Sequence, residues 1–396
     1  MSTLSLPIYM DNQATTRVDP RVVAAMLPFW ESDYGNAGSL LHAFGEQARE
    51  AVEQARCELA AAIGAQPEEV IFTSGATESN NLAIRGVALH PRNQRRHLLS
   101  VATEHHATLD PLLRLERQGF EVELLPVIQA ESPEAGRIDL TQAEQALSEQ
   151  TALATVMLAN NEIGAIQPIA ELSEKVHGCG ALLHCDATQA VGKMAVDVRQ
   201  LGVDMMSFTA HKMYGPKGVG ALYVRGGRPT IKLLPQIEGG GQEKGIRSGT
   251  LNVPGVVGFA KAMTLSLEEL PTERPRLIHL RNELWKGLKA ALPELLLNGP
   301  EVTHDEWRLP GNLNACLPGI DGQTLQLKVP ELAISSGAAC ASSRPEPSHV
   351  LQAIGRSDDE VRSSLRFGLG RFNTLEEVQY VVEQVPRIVR QLKQML

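Results

Sequence analysis

Two residues of this chain could form covalent bonds during a reaction, a cysteine near the C-terminus and a lysine in the middle. Cys340 lies in Ile-Ser-Ser-Gly-Ala-Ala-Cys-Ala-Ser-Ser, residues 334–343, where small neighbours leave a thiol accessible. Lys212 ends the stretch Ser-Phe-Thr-Ala-His-Lys, residues 207–212. A thiolate is a nucleophile, and a lysine that loses its proton readily can form a Schiff base. Together they indicate an enzyme that handles sulfur.

Alternating strands and helices are predicted to position these residues. Short apolar runs predict strands at residues 70–73, 97–103, 122–127, 152–159, 181–185, 205–209 and 221–224. Amphipathic segments predict helices at residues 78–89, 107–118, 140–148 and 169–176. This alternation favours a doubly wound, mostly parallel sheet, because parallel neighbours need crossover connections. The predicted fold class is therefore α/β, with a mostly parallel seven-stranded sheet in a large domain.

A smaller α+β domain is predicted for the C-terminal part of the chain. Prolines and charges at residues 271–275 predict a break, followed by a helix at 277–292. Strands are predicted at 313–317, 332–335 and 365–368, a terminal helix at 375–395, and a lone strand at 8–10 that joins this part. We therefore expect a large domain over residues 16–264 and a small domain formed by 1–15 and 265–396, which carries Cys340.

Composition excludes several classes of protein. The chain has 396 residues, 43% of them hydrophobic, and a net charge of −9, which disfavours nucleic-acid binding. Its five cysteines include no Cys-x-x-Cys pair, so neither a disulfide framework nor a zinc site is expected. No secretory signal and no apolar run of about 20 residues is recognisable. These observations predict a metal-free protein of a reducing compartment, the cytoplasm.

Polar clusters follow the ends of five predicted strands, where open α/β sheets bind their ligands. Gly75, Ala76 and Thr77 open a predicted helix, whose free N–H groups suit a phosphate. An ordinary N-cap by Ser74 or Thr77 is the alternative. The hydroxyl of Thr209 and the imidazole of His211 could complete the anion site.

Other residues of these clusters suit an aromatic cofactor. Asp186 follows an apolar strand and would pair with a protonated pyridine nitrogen, unless it only caps the next turn. Gln189 could bind a ring hydroxyl or be a surface amide, and His105 could stack on the ring and move protons. Arg366 could bind a substrate carboxylate or form a surface salt bridge.

The remaining residues of these types have simpler interpretations. Lys217 competes with Lys212 for the imine, but its Gly-Pro-Lys-Gly turn predicts exposure. His106 is expected to point away from the site. The other cysteines, in strand-like or helix-like contexts, are expected to pack in the interior.

The motifs as a set resemble the cysteine desulfurases of the NifS/IscS type, which are fold-type I pyridoxal-phosphate enzymes of the class V aminotransferase type. The resemblance covers nearly the whole chain and rests on residues 9–16, 74–81, 103–105, 160–164, 186–189, 211–218, 239–243, 247–250 and 335–340. The segment around Cys340, continuing to Glu-Pro-Ser-His-Val-Leu at 346–351, is similar to that of the members with a longer loop, which hand sulfur to scaffold proteins.

The resemblance implies a role for each candidate residue. It makes Lys212 the Schiff-base lysine, Cys340 the persulfide carrier and His105 a proton-transfer residue stacked on the ring. The pyridoxal-phosphate ligands that it implies are Gly75, Ala76, Thr77, His105, Asn161, Asp186, Gln189, Thr209, His211 and Lys212. It also implies a homodimer, in which Thr250 of the partner subunit contributes to the same site. Asn36, Asn161 and Arg366 would bind the substrate, L-cysteine. The product would be L-alanine, and the sulfur would go to an acceptor such as an iron–sulfur scaffold protein.

Two segments depart from the family pattern, and other functions remain open. Thr209-Ala210 replaces the usual Ser-Gly, and the segment 35–42 lacks the usual proline after Asn36 and has Leu40 in place of arginine. A pyridoxal-phosphate C–S lyase, a selenocysteine lyase and a non-catalytic accessory subunit are the alternatives. A lyase would need no loop thiol and would release pyruvate and ammonia.

Overall fold

The computed structural model describes residues 4–227, 230–336 and 347–394, so that Cys340 lies outside the described residues. The strands are β1 (Ile8–Tyr9), β2 (Val70–Thr73), β3 (His97–Val101), β4 (Glu121–Leu125), β5 (Thr151–Met157), β6 (Leu182–Asp186), β7 (Met205–Thr209), β8 (Gly220–Val224), β9 (Leu296–Asn298), β10 (Asn312–Cys316), β11 (Leu332–Ala333), β12 (Ser335–Ser336) and β13 (Ser364–Gly368). The helices are α1 (Pro20–Met26), α2 (Pro28–Glu31), α3 (Ala43–Ala62), α4 (Ala76–Ala88), α5 (His106–Glu116), α6 (Leu140–Ala146), α7 (Ile169–Gly178), α8 (Val198–Leu201), α9 (Val253–Ala291), α10 (Gly322–Lys328), α11 (His349–Ala353), α12 (Asp358–Arg362) and α13 (Leu375–Lys393).

The large sheet has seven strands in the order β2-β8-β7-β6-β5-β3-β4. All neighbours are parallel except those of β8, which is antiparallel to both β2 and β7. The carboxyl ends of β2, β3, β5, β6 and β7 therefore lie at the same edge. Every residue of β5 is buried, as expected for a central strand covered on both faces. The predicted α/β fold with a mostly parallel seven-stranded sheet is confirmed.

A second sheet and a second hydrophobic core involve the C-terminal part. The sheet has the order β12-β13-β10-β9 and is antiparallel, while β1 pairs with β11 in a separate parallel ribbon. Ile8 and Met10 pack in this core with residues of α9 and α13. The single strand expected at 332–335 was wrong, because the chain changes partner at Ile334, from β1 to β13. The domain boundaries at 15/16 and 264/265 remain a prediction.

Helix α9 crosses the second of these boundaries. It runs for 39 residues through Pro271 and Pro275, so the break predicted there was wrong. An interior proline costs about 3 kcal/mol. The two halves of the helix are anchored in different cores, with Phe259 and Met263 in the large one and Leu284 in the small one. Each such side chain contributes about 1.5–3 kcal/mol when buried, which offsets the cost of the prolines.

The surface of the described residues adds two observations. The helices there are too short or too polar to span a bilayer. Cys185 and Cys316 are buried and Cys179 is partly so, but Cys57 is exposed on α3, so the prediction that it packs in the interior was wrong. Helix α3 is amphipathic, and Cys57 lies on its solvent face, which the residue type alone did not reveal.

Candidate active site

A cavity of about 620 Å³ lies at the carboxyl edge of the large sheet, where strand ends meet the second sheet. The predicted site residues that line it are Gly75, Ala76, Thr77, His105, Asn161, Asp186, Gln189, Thr209, His211, Lys212 and Arg366. They come from the ends of β2, β3, β5, β6 and β7 and from β13. The large sheet brings together residues that are up to 137 positions apart in sequence (75 to 212), and the second sheet adds Arg366.

Lys212 ends the short 3₁₀ turn after β7, with its amine pointing toward the N-terminal segment. Its Nζ donates to the backbone oxygens of Gln13 and Ala14, both at 2.6 Å. Burial, followed by the nearby Arg366 guanidinium, lowers the pKa of Lys212 to about 8. Both acceptors are neutral carbonyls, and the charges of Asp11 and Asp186 raise this pKa by less than burial and Arg366 lower it. Such an amine is a better nucleophile and base near neutral pH than an exposed lysine.

Asp186 ends β6 and is only 5% exposed. Its Oδ1 accepts from the Thr188 N–H at 2.9 Å, and its Oδ2 accepts from Asn80 Nδ2 at 2.7 Å. Among the described residues, no lysine, arginine or histidine forms an ion pair with it. A buried carboxylate without a cation is costly, so its position at the cavity wall fits a cationic ring nitrogen. The turn-capping alternative is also realised, because Oδ1 accepts from Thr188.

The start of α4 forms an open anion site. The residue before the helix is Gly75, with φ of 155°, and no side chain caps the first turn. An N-cap by Ser74 or Thr77 is thus not what the structure has. Gly220 packs closely against this residue, since a Cβ added at Gly220 would lie 2.7 Å from the Cα of Gly75. Uncapped N–H groups at the start of a 13-residue helix, facing a cavity, suit a phosphate.

Thr209 and His211 lie opposite this helix start. The Thr209 hydroxyl donates to the Val219 carbonyl at 2.9 Å, so it can accept from a ligand but must rotate to donate to one. The Nδ1 of His211 lies 3.1 Å from Thr15 Oγ1. Burial and the charges of Lys212 and Lys217 lower the pKa of His211 to about 4. His211 is therefore neutral near pH 7 and can offer at most one N–H to an anion.

Arg366 reaches the cavity from β13. Its Nη2 donates to Asp11 Oδ1 at 2.7 Å and to Ser335 Oγ at 2.9 Å, and its Nη1 donates to the Asn161 carbonyl at 3.1 Å. Its Nε is buried without a partner among the described residues. The salt-bridge alternative is realised with Asp11. The guanidinium has five donors, of which three are used and Nε is buried, so one Nη1 N–H remains for a carboxylate that enters the cavity.

Three histidines lie at the cavity mouth. The Nδ1 of His105 accepts from the Ala107 N–H at 3.0 Å, which leaves Nε2 to carry the proton of the neutral ring. Burial is the main reason why the pKa of His105 lies below its usual value. His106 was expected to point away, but it lines the cavity and its ring contacts that of His349, with centroids 4.9 Å apart. Only the fold reveals this contact, because the two are 243 positions apart (106 to 349).

Two buried polar residues at the cavity were given no role by the sequence analysis. Glu104 lines the cavity and is fully buried, and its Oε1 accepts from the Met157 N–H at 2.6 Å while Oε2 has no partner among the described residues. Burial, and then the charge of Asp186, raises the pKa of Glu104 well above its usual value. Asn80, which holds Asp186, is also fully buried. Both lie in polar runs of the sequence, Thr-Glu-His-His and Ser-Asn-Asn, so the local sequence does not reveal their burial.

Three predicted residues and one competitor have other positions. Asn36 is exposed and its Oδ1 accepts from the Gly38 N–H at 2.9 Å, and it does not line the cavity. Thr250 is exposed and likewise does not line it. Cys340 lies outside the described residues. Lys217 lies at the rim of the cavity and is exposed, as expected.

The residues that line the cavity fit pyridoxal phosphate. The uncapped start of α4 provides N–H donors for the phosphate, and Asp186 provides an uncompensated buried carboxylate for the ring nitrogen. Lys212 provides an amine with a lowered pKa for the aldehyde. The three groups have the chemistry that the three ends of this cofactor require.

Comparison with known proteins gives a consistent result. The model of the aminotransferase class-V family matches residues 8–381. A cysteine desulfurase IscS from Anaeromyxobacter sp. (strain Fw109-5) is 50% identical over 392 residues, covering 99% of this chain and 95% of that protein. A solved NifS-like protein has a TM-score of 0.87 at 37% identity and covers 97% of this chain and 99% of its own. The structure of SspA in complex with cysteine has a TM-score of 0.78 at 34% identity, over 92% of this chain and 99% of that one.

The chain therefore belongs to the aminotransferase class-V family. Within it, the chain is grouped with the cysteine desulfurases of the NifS/IscS type, so the resemblance seen in the sequence is confirmed. The predictions of a pyridoxal-phosphate cofactor and of a transferase that depends on it are confirmed at the same time. The roles of single residues stay predictions.

Proposed function

We propose that this protein removes sulfur from L-cysteine through a persulfide on Cys340 and releases L-alanine. The observation that carries the proposal is the placement of Lys212 and Asp186 in one cavity, an amine with a lowered pKa and a buried carboxylate without a cation. IscS relatives that are named cysteine desulfurases support the reaction, and the complex of SspA with cysteine supports the substrate.

The lining of the cavity supports a role for each residue toward the cofactor. Gly75, Ala76 and Thr77 would hold the phosphate at the start of α4, together with Thr209 and His211. Asp186 would hold the ring nitrogen and Gln189 the ring oxygen, and His105 and Asn161 would lie beside the ring. When bound, pyridoxal phosphate supplies an aldehyde for imine formation and a ring that withdraws electrons from the substrate α-carbon. Lys212 removes the α-proton at its Nζ, since a pKa of about 8 suits a base near neutral pH.

Arg366 binds the substrate carboxylate. Arg366 lines the cavity and keeps one Nη1 N–H beyond its bonds to Asp11, Ser335 and Asn161. In the proposal, a charge-assisted hydrogen bond from this group orients the amino acid, so that its α-proton faces Lys212. Asn161 and Asn36 complete this substrate site in the proposal, with Asn36 approaching from the exposed segment 35–42.

Cys340 accepts the sulfur. The segment that carries it is attached at the cavity on both sides: Ser336 lines the cavity, and Ser348 Oγ donates to Glu162 Oε2 at 2.5 Å. His349 donates from Nε2 to the Glu104 carbonyl at 2.8 Å. The Cys340 thiolate forms an S–S bond with the substrate sulfur while the C–S bond breaks. The electron pair of the broken bond stays with Cβ, which takes a proton, Lys212 returns a proton to Cα, and the product is alanine. His105 moves protons at its Nε2.

Partners complete the proposal. Thr250 of the partner subunit would contribute to the phosphate site of a homodimer, which agrees with its exposure and its absence from the cavity of its own chain. The persulfide sulfur would pass to an acceptor, such as a scaffold protein for iron–sulfur clusters. A cytoplasmic location belongs to the same proposal, since this chemistry needs reduced thiols.

The test is a Cys340→Ser variant incubated with L-cysteine, pyridoxal phosphate and a dithiol reductant, which reduces the persulfide and releases sulfide. It should keep the visible absorption of the bound cofactor and lose sulfide release and net alanine formation. Mass spectrometry of the wild-type protein should locate a persulfide on Cys340. The matched control is Cys57→Ser, which replaces an exposed cysteine away from the cavity and should leave activity unchanged. Normal turnover of Cys340→Ser, or pyruvate and ammonia as products, would contradict the proposal.

A further inference from the structure

A chain of hydrogen bonds links two lysines beneath the cavity. Lys193 Nζ donates to Gln189 Oε1 at 2.7 Å, and Gln189 Nε2 donates to the Gln13 carbonyl at 2.9 Å. The same Gln13 carbonyl accepts from Lys212 Nζ at 2.6 Å. Lys193 does not line the main cavity and has no role in the function described so far. It is nevertheless connected to Lys212 through two intervening residues.

The hydrogen-bonding chemistry of the end groups fixes the orientation of the Gln189 amide. A protonated lysine has only donors and a backbone carbonyl only accepts, so Lys193 requires the oxygen of the amide and Gln13 requires its nitrogen. Both requirements agree with a single orientation. Gln189 is only 3% exposed, so its amide has little access to water as a substitute partner. It also lines the main cavity.

The Gln13 carbonyl alone is a weak restraint on the Gln189 amide, because it also accepts a hydrogen bond from Lys212. Lys193 is therefore needed to hold the amide in this orientation. Without Lys193, the Gln189 oxygen would be buried without a partner, and other rotamers of the side chain would relieve that cost. In those rotamers the Gln189 N–H groups no longer have a fixed direction. A ligand oxygen that accepts a hydrogen bond would then have no N–H group of Gln189 held in a fixed position toward it.

We propose that Lys193 is a positioning residue that holds the Gln189 amide with its nitrogen toward the cofactor side of the cavity. This inference rests on the proposed role of Gln189 at the cofactor ring oxygen. Gln189 then presents an N–H donor to that oxygen, which stabilises its anionic form. Lys193 acts only through Gln189 and touches neither cofactor nor substrate.

The surroundings of Lys193 are compatible with this role. A second cavity of about 20 Å³, enough for about one water molecule, is lined by Lys193, Gln13 and Glu273. Burial, followed by the nearby charges of Lys212 and Arg366, lowers the pKa of Lys193 to about 7, although Glu273 opposes this shift. A neutral Lys193 amine still has N–H donors for Gln189 Oε1, so the bond persists above that pH.

The test uses Lys193→Met in the full-length protein loaded with pyridoxal phosphate. Loss of a donor at the ring oxygen should weaken cofactor affinity about tenfold and raise the pH midpoint of the visible absorption band by about half to one unit. Lys193→Arg, which keeps the donors, should restore both values. The melting temperature of the cofactor-free protein should stay near that of the wild type, because a methionine of similar length replaces a partly buried amine.

A double-mutant cycle separates positioning from a direct charge effect. In a Gln189→Ala background, Lys193→Met should change neither the affinity nor the midpoint any further. Equal shifts in both backgrounds, no shift in Lys193→Met, or an Arg variant as impaired as the Met variant would each overturn the inference. Should Lys193→Met fail to fold, Lys193→Gln serves instead, because its amide is one atom shorter and leaves Gln189 Oε1 beyond hydrogen-bond distance. A wild-type protein without a visible band would refute the proposed function instead.

Discussion

Replacement of Glu104 by glutamine should change how the stability of the protein depends on pH. The pKa of this buried acid is raised well above 4.5, so it stays protonated in the folded protein when an unfolded chain would release its proton. The unfolded state then binds fewer protons than the folded state, and the free energy of unfolding falls as pH rises, by up to about 1.4 kcal/mol per unit. Glutamine has the same shape and no proton to lose.

The expected size follows from the ionisation of the unfolded chain. An acid with a pKa of 4.5 is about three-quarters ionised at pH 5 and almost fully at pH 6. Between these pH values the wild type should therefore lose up to about 1.2 kcal/mol relative to Glu104→Gln. Urea unfolding of both cofactor-free proteins at the two pH values measures this difference. The control is Glu116→Gln, on the exposed end of α5. A Glu104→Gln difference that is the same at both pH values would show that Glu104 is ionised in the folded protein.

Two further substitutions test other parts of the structure. Arg366→Lys keeps the positive charge beside Asp11 but loses the planar guanidinium. KM for L-cysteine should therefore rise about tenfold, while the visible absorption band of the cofactor is retained. The control is the exposed Arg362→Lys, which should leave KM unchanged. An unaltered KM in Arg366→Lys would argue against carboxylate binding there. Lys244→Gly should raise the free energy of unfolding by about 0.5 kcal/mol, because φ of Lys244 is 58° and glycine has no Cβ to strain. Lys261→Gly inside α9 should instead lower it by about 1 kcal/mol, and a destabilised Lys244→Gly would contradict the strain argument.

The sequence was sufficient to predict the large sheet, and most of the predicted site residues line the cavity. The strands are short apolar runs that end in polar clusters, and β2 and β7 have the predicted bounds. Because parallel strands bring their carboxyl ends to the same edge, the polar residues after them could be expected to meet. In this sheet the local hydrophobic pattern of each strand agrees with the way the strands pair. The strands could therefore be predicted from the sequence alone.

What could not be predicted depends on contacts between distant segments. The continuity of α9 depends on two separate cores, and the split between β11 and β12 depends on which strand each part meets. Lys193 lies only four residues from Gln189, yet its role depends on Gln13, which is 176 positions from Gln189. Nothing in a single sequence specifies such partners.

The pairing of β1 with β11 has a consequence for how the protein is made. Ile8 meets Leu332, and Asp11 meets Arg366, so residues 8–11 find their partners only after more than three hundred further residues have been synthesised. The carbonyls of Gln13 and Ala14, which hold Lys212, belong to the same segment. Binding of pyridoxal phosphate is therefore expected to wait until the residues up to Arg366 have left the ribosome.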